Sequence, residues 1–240
     1  MNKDTIIITG AAQRLGLETA KHLIEQGYHL VISYRRDKPG VEQLNALGAD
    51  CIQADFANTQ GIEDFIATVK ARYSQIRAII HNASDWHPEN QQLAPDILMN
   101  NMMQVHVHAP YQINLALQDA LFSYADAKQT CADIIHLTDY IVETGSSKHI
   151  AYAASKAALA NLTLSFAKKF APKVKVNSVA PSLMSFNEWD DDAYRQKTIN
   201  KSLLGVVPGE IEGVEALQYV LNSRYLNGRT ISIDGGRHIR

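Results

Sequence analysis

Apolar residues in this chain follow two rhythms. Short runs at 5–9, 29–34, 51–54, 78–81, 133–137, 174–179 and 230–233 are rich in β-branched residues and lack a polar/apolar alternation. That pattern predicts strands covered on both faces. Longer amphipathic stretches at 14–26, 41–47, 61–73, 95–122, 152–170 and 213–221 predict the helices between them. Strict alternation of the two predicts an α/β fold, a single-domain Rossmann-like doubly wound parallel sheet with helices on both faces. Ligands of such sheets bind beyond the C-terminal ends of the strands, so chemistry is expected just after each strand. No repeat, low-complexity tract or linker-like stretch divides the 240 residues, and one domain over 1–240 is expected.

Composition narrows the class. Hydrophobic residues make up 46% and charged residues 20% of the chain, enough apolar material for a sizeable core. A net charge of −2, with no long block of one sign, gives no reason to expect a nucleic-acid or membrane-surface partner. No stretch approaches the roughly 18 apolar residues of a membrane helix, and the first apolar run, 5–9, is too short for a signal-peptide core. Cys51 and Cys131 form no CxxC pair. Free thiols suit a reducing compartment, so a cytoplasmic protein is expected.

The first strand runs into Thr9-Gly10-Ala11-Ala12-Gln13-Arg14-Leu15-Gly16 and then a helix. Glycine in such a turn lets the backbone approach a pyrophosphate, which a helix N-terminus attracts. A purely structural turn would look similar. The second strand ends in Arg35-Arg36, where an acid would favour NAD and arginines favour a 2′-phosphate. With Asp37 and Lys38 following, a solvated charged surface is the competing reading. Asp55 follows the third strand, placed for an adenine edge, and Asn82-Ala83-Ser84 follows the fourth, where backbone would line a cofactor cleft.

Tyr152 and Lys156 are four residues apart, on one face of a predicted helix. A free phenol has a pKa of about 10, and a neighbouring ammonium is expected to lower it toward a usable acid/base. The YxxxK spacing also occurs on ordinary helix surfaces. Asp139, just past the fifth strand, adds a third polar group at the same sheet edge.

Together, the turn 9–16, Asp55, Asn82-Ala83, Tyr152/Lys156, the strand and turn 176–181 and the tail Asp234-Gly235-Gly236 resemble the short-chain dehydrogenase/reductase family over nearly the whole chain. Arg14 in place of the usual middle glycine, and Asp139 in place of the usual serine, resemble the pteridine reductases. Segments 81–84, 136–140 and 148–156 are similar to the bacterial branch acting on 7,8-dihydromonapterin. The resemblance implies NADPH as cofactor, held by Gly10, Arg14, Leu15 and Gly16 in the first turn. It adds Arg35, Arg36, Asp55 and Phe56 around the adenosine, and Asn82, Ala83, Tyr152, Lys156 and Pro181 toward the nicotinamide. It implies catalysis by Tyr152, Lys156 and Asp139, with the pterin contacted by Arg14, Ser84, Trp86, Asp139 and Tyr152. Trp86 is expected to stack on the flat ring; packing its own loop is the other reading.

The implied reaction is reduction of 7,8-dihydromonapterin to 5,6,7,8-tetrahydromonapterin, with weaker activity on dihydrofolate. The resemblance also implies a substrate loop near 183–206 and a homotetramer formed through helices 95–122 and 152–170. A carbonyl reductase of the same fold, or a non-catalytic NADPH-binding regulator, are the alternatives. Two departures stand out: His106 replaces the family asparagine whose carbonyl holds a water near the lysine, and Ser182 replaces a glycine. None of the nine histidines has metal-ligand spacing, and Asp190-Asp191-Asp192 is read as the acidic start of a helix.

Overall fold

In a computed structural model, residues 3–89 and 92–240 are described. Their chain order is β1 (Thr5–Thr9), α1 (Arg14–Glu25), β2 (His29–Tyr34), α2 (Pro39–Ala46), β3 (Asp50–Gln53), α3 (Thr59–Arg72) and β4 (Ala78–His81). There follow α4 (Pro95–Met103), a π-helical turn (Gln104–His108), α5 (Ala109–Ala116), α6 (Gln118–Lys128), β5 (Ala132–Leu137), α7 (Ile141–Thr144) and α8 (Ile150–Phe170). The chain ends with β6 (Val174–Pro181), α9 (Asp192–Ile199), α10 (Glu210–Asn222), β7 (Thr230–Ile233) and a 3-10 turn (Arg237–Ile239). Every strand pairing is parallel, in the order β3-β2-β1-β4-β5-β6-β7. The order reverses between β1 and β4, which opens a crevice at their C-terminal ends.

Side chains alternate across each strand, so the consecutive isoleucines of β1 serve both faces of the sheet. Ile6 and Ile8 pack with Leu23, Leu44 and Leu217 under α1, α2 and α10. Ile7 packs with Phe65, Ile113, Leu121 and Phe166 under α3, α5, α6 and α8. All seven expected strands form, and each predicted helix is found with its ends shifted by a few residues.

The exception is 95–122, expected as one continuous stretch. It divides into α4, the π turn, α5 and the start of α6. Pro110 has no N–H to offer the His106 carbonyl four residues earlier, which interrupts the α-helical ladder there, and the Ala109 N–H bonds instead to the Gln104 carbonyl. The acidic triplet does start a helix: Asp191 caps α9 by accepting from the Tyr194 N–H at 2.7 Å. Among the described residues, no helix is long and apolar enough to cross a membrane. Cys51 and Cys131 are free thiols.

The sheet end opposite the crevice is pinned electrostatically. Asp133, fully buried at the start of β5, pairs with Arg77 and lies 2.7 Å from the Lys175 ammonium on β6. Asp133→Asn leaves two cations facing each other without their counter-charge. Breaking a buried pair in this way costs about 3–5 kcal/mol. Urea denaturation of the variant is expected to show a loss of that size, and a loss below about 1 kcal/mol would contradict this account.

Candidate active site

The crevice is a cleft of about 880 Å³. Its floor is a clasp between the loops after β1 and β4. Thr9 Oγ1 accepts from the Asn82 and Ala83 N–H groups, both at 3.0 Å. The Asn82 amide donates to the Thr9 and Gly10 carbonyls at 3.1 and 2.8 Å. Gly10 has φ +67, and a Cβ there would sit 2.7 Å from the Ala83 Cα, so a side chain is excluded twice over. Gly10, Leu15, Gly16, Asp55, Asn82 and Ala83 all line the cleft. Phe56 borders it too, but its ring is buried edge-on against Phe65 at 5.3 Å. Pro181, expected at the nicotinamide end, is not among the cleft-lining residues; Ser182 takes that place, while the Pro181 carbonyl accepts from the Tyr140 N–H at 3.2 Å.

Cations gather at the β2 edge. Arg35, Arg36 and Lys38 line the cleft and are exposed. Arg35 already pairs with Asp85 at 3.0 Å, so Arg36 and Lys38 are the cations there without an ion pair among the described residues. Lys38 was missed as a candidate; its ammonium bonds the Gln13 side chain. Arg14, where the family has glycine, keeps a left-handed backbone with φ +52, and its guanidinium donates to the Asn187 side chain.

Asp139, Tyr152 and Lys156 meet where β5 ends. The Tyr152 hydroxyl donates to Asp139 Oδ2 at 2.9 Å, and the Ile141 N–H donates to Oδ1 at 3.0 Å. Lys156 is buried behind Tyr152 and donates to the Leu137 carbonyl at 2.7 Å. The expected lowering of the Tyr152 pKa does not occur in this arrangement. Burial first, then the Asp139 carboxylate, push the phenol well above its ordinary value, with Ser84 opposing. Burial also raises Asp139, despite the Ile141 N–H and the Lys156 charge pulling the other way. Lys156 is lowered by burial to about 8, with Asp139 opposing.

His106 is the main polar residue that sequence reasoning left without a role. It is 1% exposed, on the π turn, with its ring edge-on to Tyr152 at 5.4 Å. The Asp85 N–H can only donate, and it points at His106 Nε2 at 3.2 Å. Nε2 is therefore an acceptor, also taking the Ser84 hydroxyl at 2.9 Å. Nδ1 then carries the proton and donates to Ser155 Oγ at 2.8 Å, and Ser155 donates to the Tyr152 carbonyl at 2.7 Å. Burial and the Lys156 charge hold the imidazole neutral, well below its ordinary pKa. His106→Phe removes this junction. Each buried group left unsatisfied costs about 1–3 kcal/mol, so urea denaturation should show a loss of at least that size. His106→Asn, which keeps a donor and an acceptor, should recover part of it.

Trp86 lines the cleft and is 58% exposed, its ring tilted 34° against His149 with centroids 4.4 Å apart. Trp189, 82% exposed, and Tyr194 line the cleft as well. Neither was singled out; an aromatic in an otherwise polar stretch was the available signal for Trp189. His81 and His136 lie in the core, bridged by Asn114 at 2.7 and 3.2 Å. Among the described residues, no group of three or more His, Cys, Asp or Glu could hold a metal ion.

Known proteins place this geometry. A model of the short chain dehydrogenase family matches residues 4–197. The dihydromonapterin reductase of Klebsiella pneumoniae is 51% identical over 235 residues, 98% of this chain and 97% of the relative. That of Enterobacter sp. (strain 638) is 52% identical over 232 residues, 97% and 95% of the two chains. The fold is shared with FolM alternative dihydrofolate reductase 1 from Brucella canis, solved with NADP, at TM-score 0.87 and 23% identity over 99% of this chain and 94% of that one. It is shared also with Pseudomonas aeruginosa RhlG, solved with NADP, at TM-score 0.88 and 21% identity over 99% and 97%. With matches of this extent to sequences and folds alike, the chain belongs to the short-chain dehydrogenase/reductase family.

Proposed function

We propose that this chain is an NADPH-dependent reductase converting 7,8-dihydromonapterin to 5,6,7,8-tetrahydromonapterin, with dihydrofolate a poorer substrate. The observation that carries the reading is Asp139, a carboxyl group raised by burial and held against Tyr152 where a carbonyl reductase of this fold presents a serine. The near-full-length relatives named for dihydromonapterin reduction support it. The cleft suits NADPH: the clasp leaves bare backbone at Gly10, and Arg36 and Lys38 offer charge to a 2′-phosphate. Bound NADPH supplies the hydride.

The residues of the chain supply the proton and the position. Reduction of a C=N bond needs a hydride at carbon and a proton at nitrogen. Tyr152, pushed far above neutrality, is a poor acid, whereas Asp139 is moved toward the working range. Asp139 is therefore the proton donor in this reading. Tyr152 orients it, and Lys156 fixes the end of β5 through Leu137. In this reading Arg14, Ser84 and Trp86 contact the ring and the segment 183–206 is the substrate loop; these three side chains, and several residues of that segment, line the cleft. A cytoplasmic homotetramer belongs to the same reading. Ile97 and Met99 on α4, Tyr111 on α5 and Leu164 on α8 are exposed apolar residues in the helices that would form its interface.

The proton assignment fixes a pH dependence. The protonated carboxyl is the active form, so kcat/KM for the dihydropterin should fall as pH rises through the Asp139 pKa, at a pH above the ordinary carboxylate range. Asp139→Ser should lower turnover by roughly 10²–10⁴ and flatten this limb. A wild type that ignores dihydropterins, together with a serine variant that reduces ketones equally well or better, would establish the carbonyl-reductase reading instead.

The cofactor assignment is tested separately. A lost charge-assisted bond costs about 1.5–3 kcal/mol, roughly tenfold to a hundredfold in affinity. Arg36→Ala should weaken NADPH by that factor and leave NADH nearly unchanged. Arg35→Ala should do less, because Arg35 is engaged by Asp85. Equal losses for both cofactors would remove the 2′-phosphate contact.

A further inference from the structure

The substrate side of the cleft carries more positive charge than a neutral pterin needs. Arg237, in the turn after β7, and Lys201, just past α9, line the same cleft as Asp139, Tyr152 and Trp86. Arg237 is held in place: its Nη2 donates to the Thr198 carbonyl at 2.9 Å, and its guanidinium lies 5.8 Å from the Tyr140 ring centroid. Its Nε is shielded from solvent and has no partner among the described residues. Its charge reaches inward to Asp139, which it favours in the ionised form.

The charge also runs outward. Lys201 is depressed by partial burial and by the charges of Arg237, Lys197 and Lys148. Arg237, Lys197 and Lys148, from three separate stretches of chain, are thus each within electrostatic reach of Lys201. None of the four has an ion pair among the described residues. Asp234, the acid nearest Arg237 in sequence, is occupied by His238 at 2.7 Å and by the Gly236 N–H. Like charges gathered without a counter-ion repel one another, and an anion between them relieves that repulsion.

We propose that Arg237 and Lys201, with Lys197 and Lys148 adding positive charge around Lys201, form an anion subsite for a negatively charged group on the pterin side chain. A glutamyl carboxylate and a phosphate ester share the required chemistry. The inference rests on the pterin reading of the site and deepens it, because the trihydroxypropyl chain of dihydromonapterin is uncharged. A tail that turns toward the 3-10 turn and α9 meets Arg237 and Lys201 on the cleft lining.

The test uses three substrates with one ring: 7,8-dihydromonapterin, its phosphate monoester and dihydrofolate. With the wild-type protein, raising salt from about 20 to about 300 mM shortens the screening length severalfold. It should raise KM severalfold for a substrate whose anion occupies the subsite, and leave the neutral one nearly flat. Lys201→Glu and Lys197→Glu, both at exposed positions, should lower the ratio of kcat/KM for that anionic substrate over the neutral one about tenfold or more. An effect confined to the phosphate ester or to dihydrofolate supports the subsite and identifies which anion it takes. The same salt response for all three substrates, with the ratios unchanged in both variants, overturns it. No turnover with any of the three defeats the pterin reading itself, and the subsite with it.

Discussion

The segment 82–86 has no regular secondary structure, yet both ends of the cleft hang from it. On one side, Asn82 and Ala83 are bound to Thr9 and Gly10, which fixes the distance between the loops after β1 and β4. On the other, Ser84 and Asp85 converge on His106, whose second nitrogen reaches Ser155 and through it the backbone of Tyr152. Asp85 also holds Arg35 at the nucleotide edge. The places assigned to the cofactor and to the proton are thus parts of one hydrogen-bonded assembly. The parallel sheet makes this arrangement available: it brings the ends of β1, β4 and β5 side by side, and the assembly needs only the first residues beyond each.

Burial then sets the chemistry. Tyr152, Lys156 and His106 are each less than 10% exposed, and in every case desolvation is the largest influence on protonation. It drives the phenol up, and it drives the ammonium and the imidazole down. The expectation from sequence, that a cation four residues away lowers the tyrosine, considered one pair of charges and left out the medium around them. Asp139 adds to the effect of burial, because a carboxylate accepting the phenol's hydrogen bond stabilises the protonated phenol. A site with serine in that position lacks this opposing charge. In the proposed mechanism, this one substitution relative to the family places a second candidate acid beside the tyrosine.

What the sequence disclosed, and what it concealed, follows from the range of the interactions. The strands were legible because a buried parallel strand is apolar at consecutive positions, as in Ile6, Ile7 and Ile8. The turn after β1 was legible because its demands are local: glycine at 10, and a helix start at 14. The π turn was not, since apolar residues continue through 95–122 without a break in rhythm and only Pro110 hints at the interruption. The role of His106 depends on Ser155, 49 residues away, and on a backbone N–H that no residue type announces. α9 was only partly visible, because of its eight residues Thr198 alone is buried and little amphipathic pattern exists to read. Lys148, Lys197, Lys201 and Arg237 look like scattered surface charge until the fold brings Lys201 and Arg237 to the cleft, with Lys148 and Lys197 within electrostatic reach of Lys201.

Arg14 shows how a local departure from the family pattern can have a distant purpose. A left-handed backbone costs a non-glycine residue roughly 1–2 kcal/mol, and the turn keeps that conformation even though glycine has been replaced. Such strain persists where surrounding structure or function holds it. Here the side chain that imposes the cost reaches across the cleft to Asn187. Asn187 is itself tied to Asp190 and, through its carbonyl, to Arg195 at the start of α9. The guanidinium therefore bridges the turn assigned to the pyrophosphate and the segment assigned to the substrate. A glycine would relieve the backbone and leave those two walls joined only through the rest of the fold. The strain at position 14 is best understood as the cost of coupling them directly.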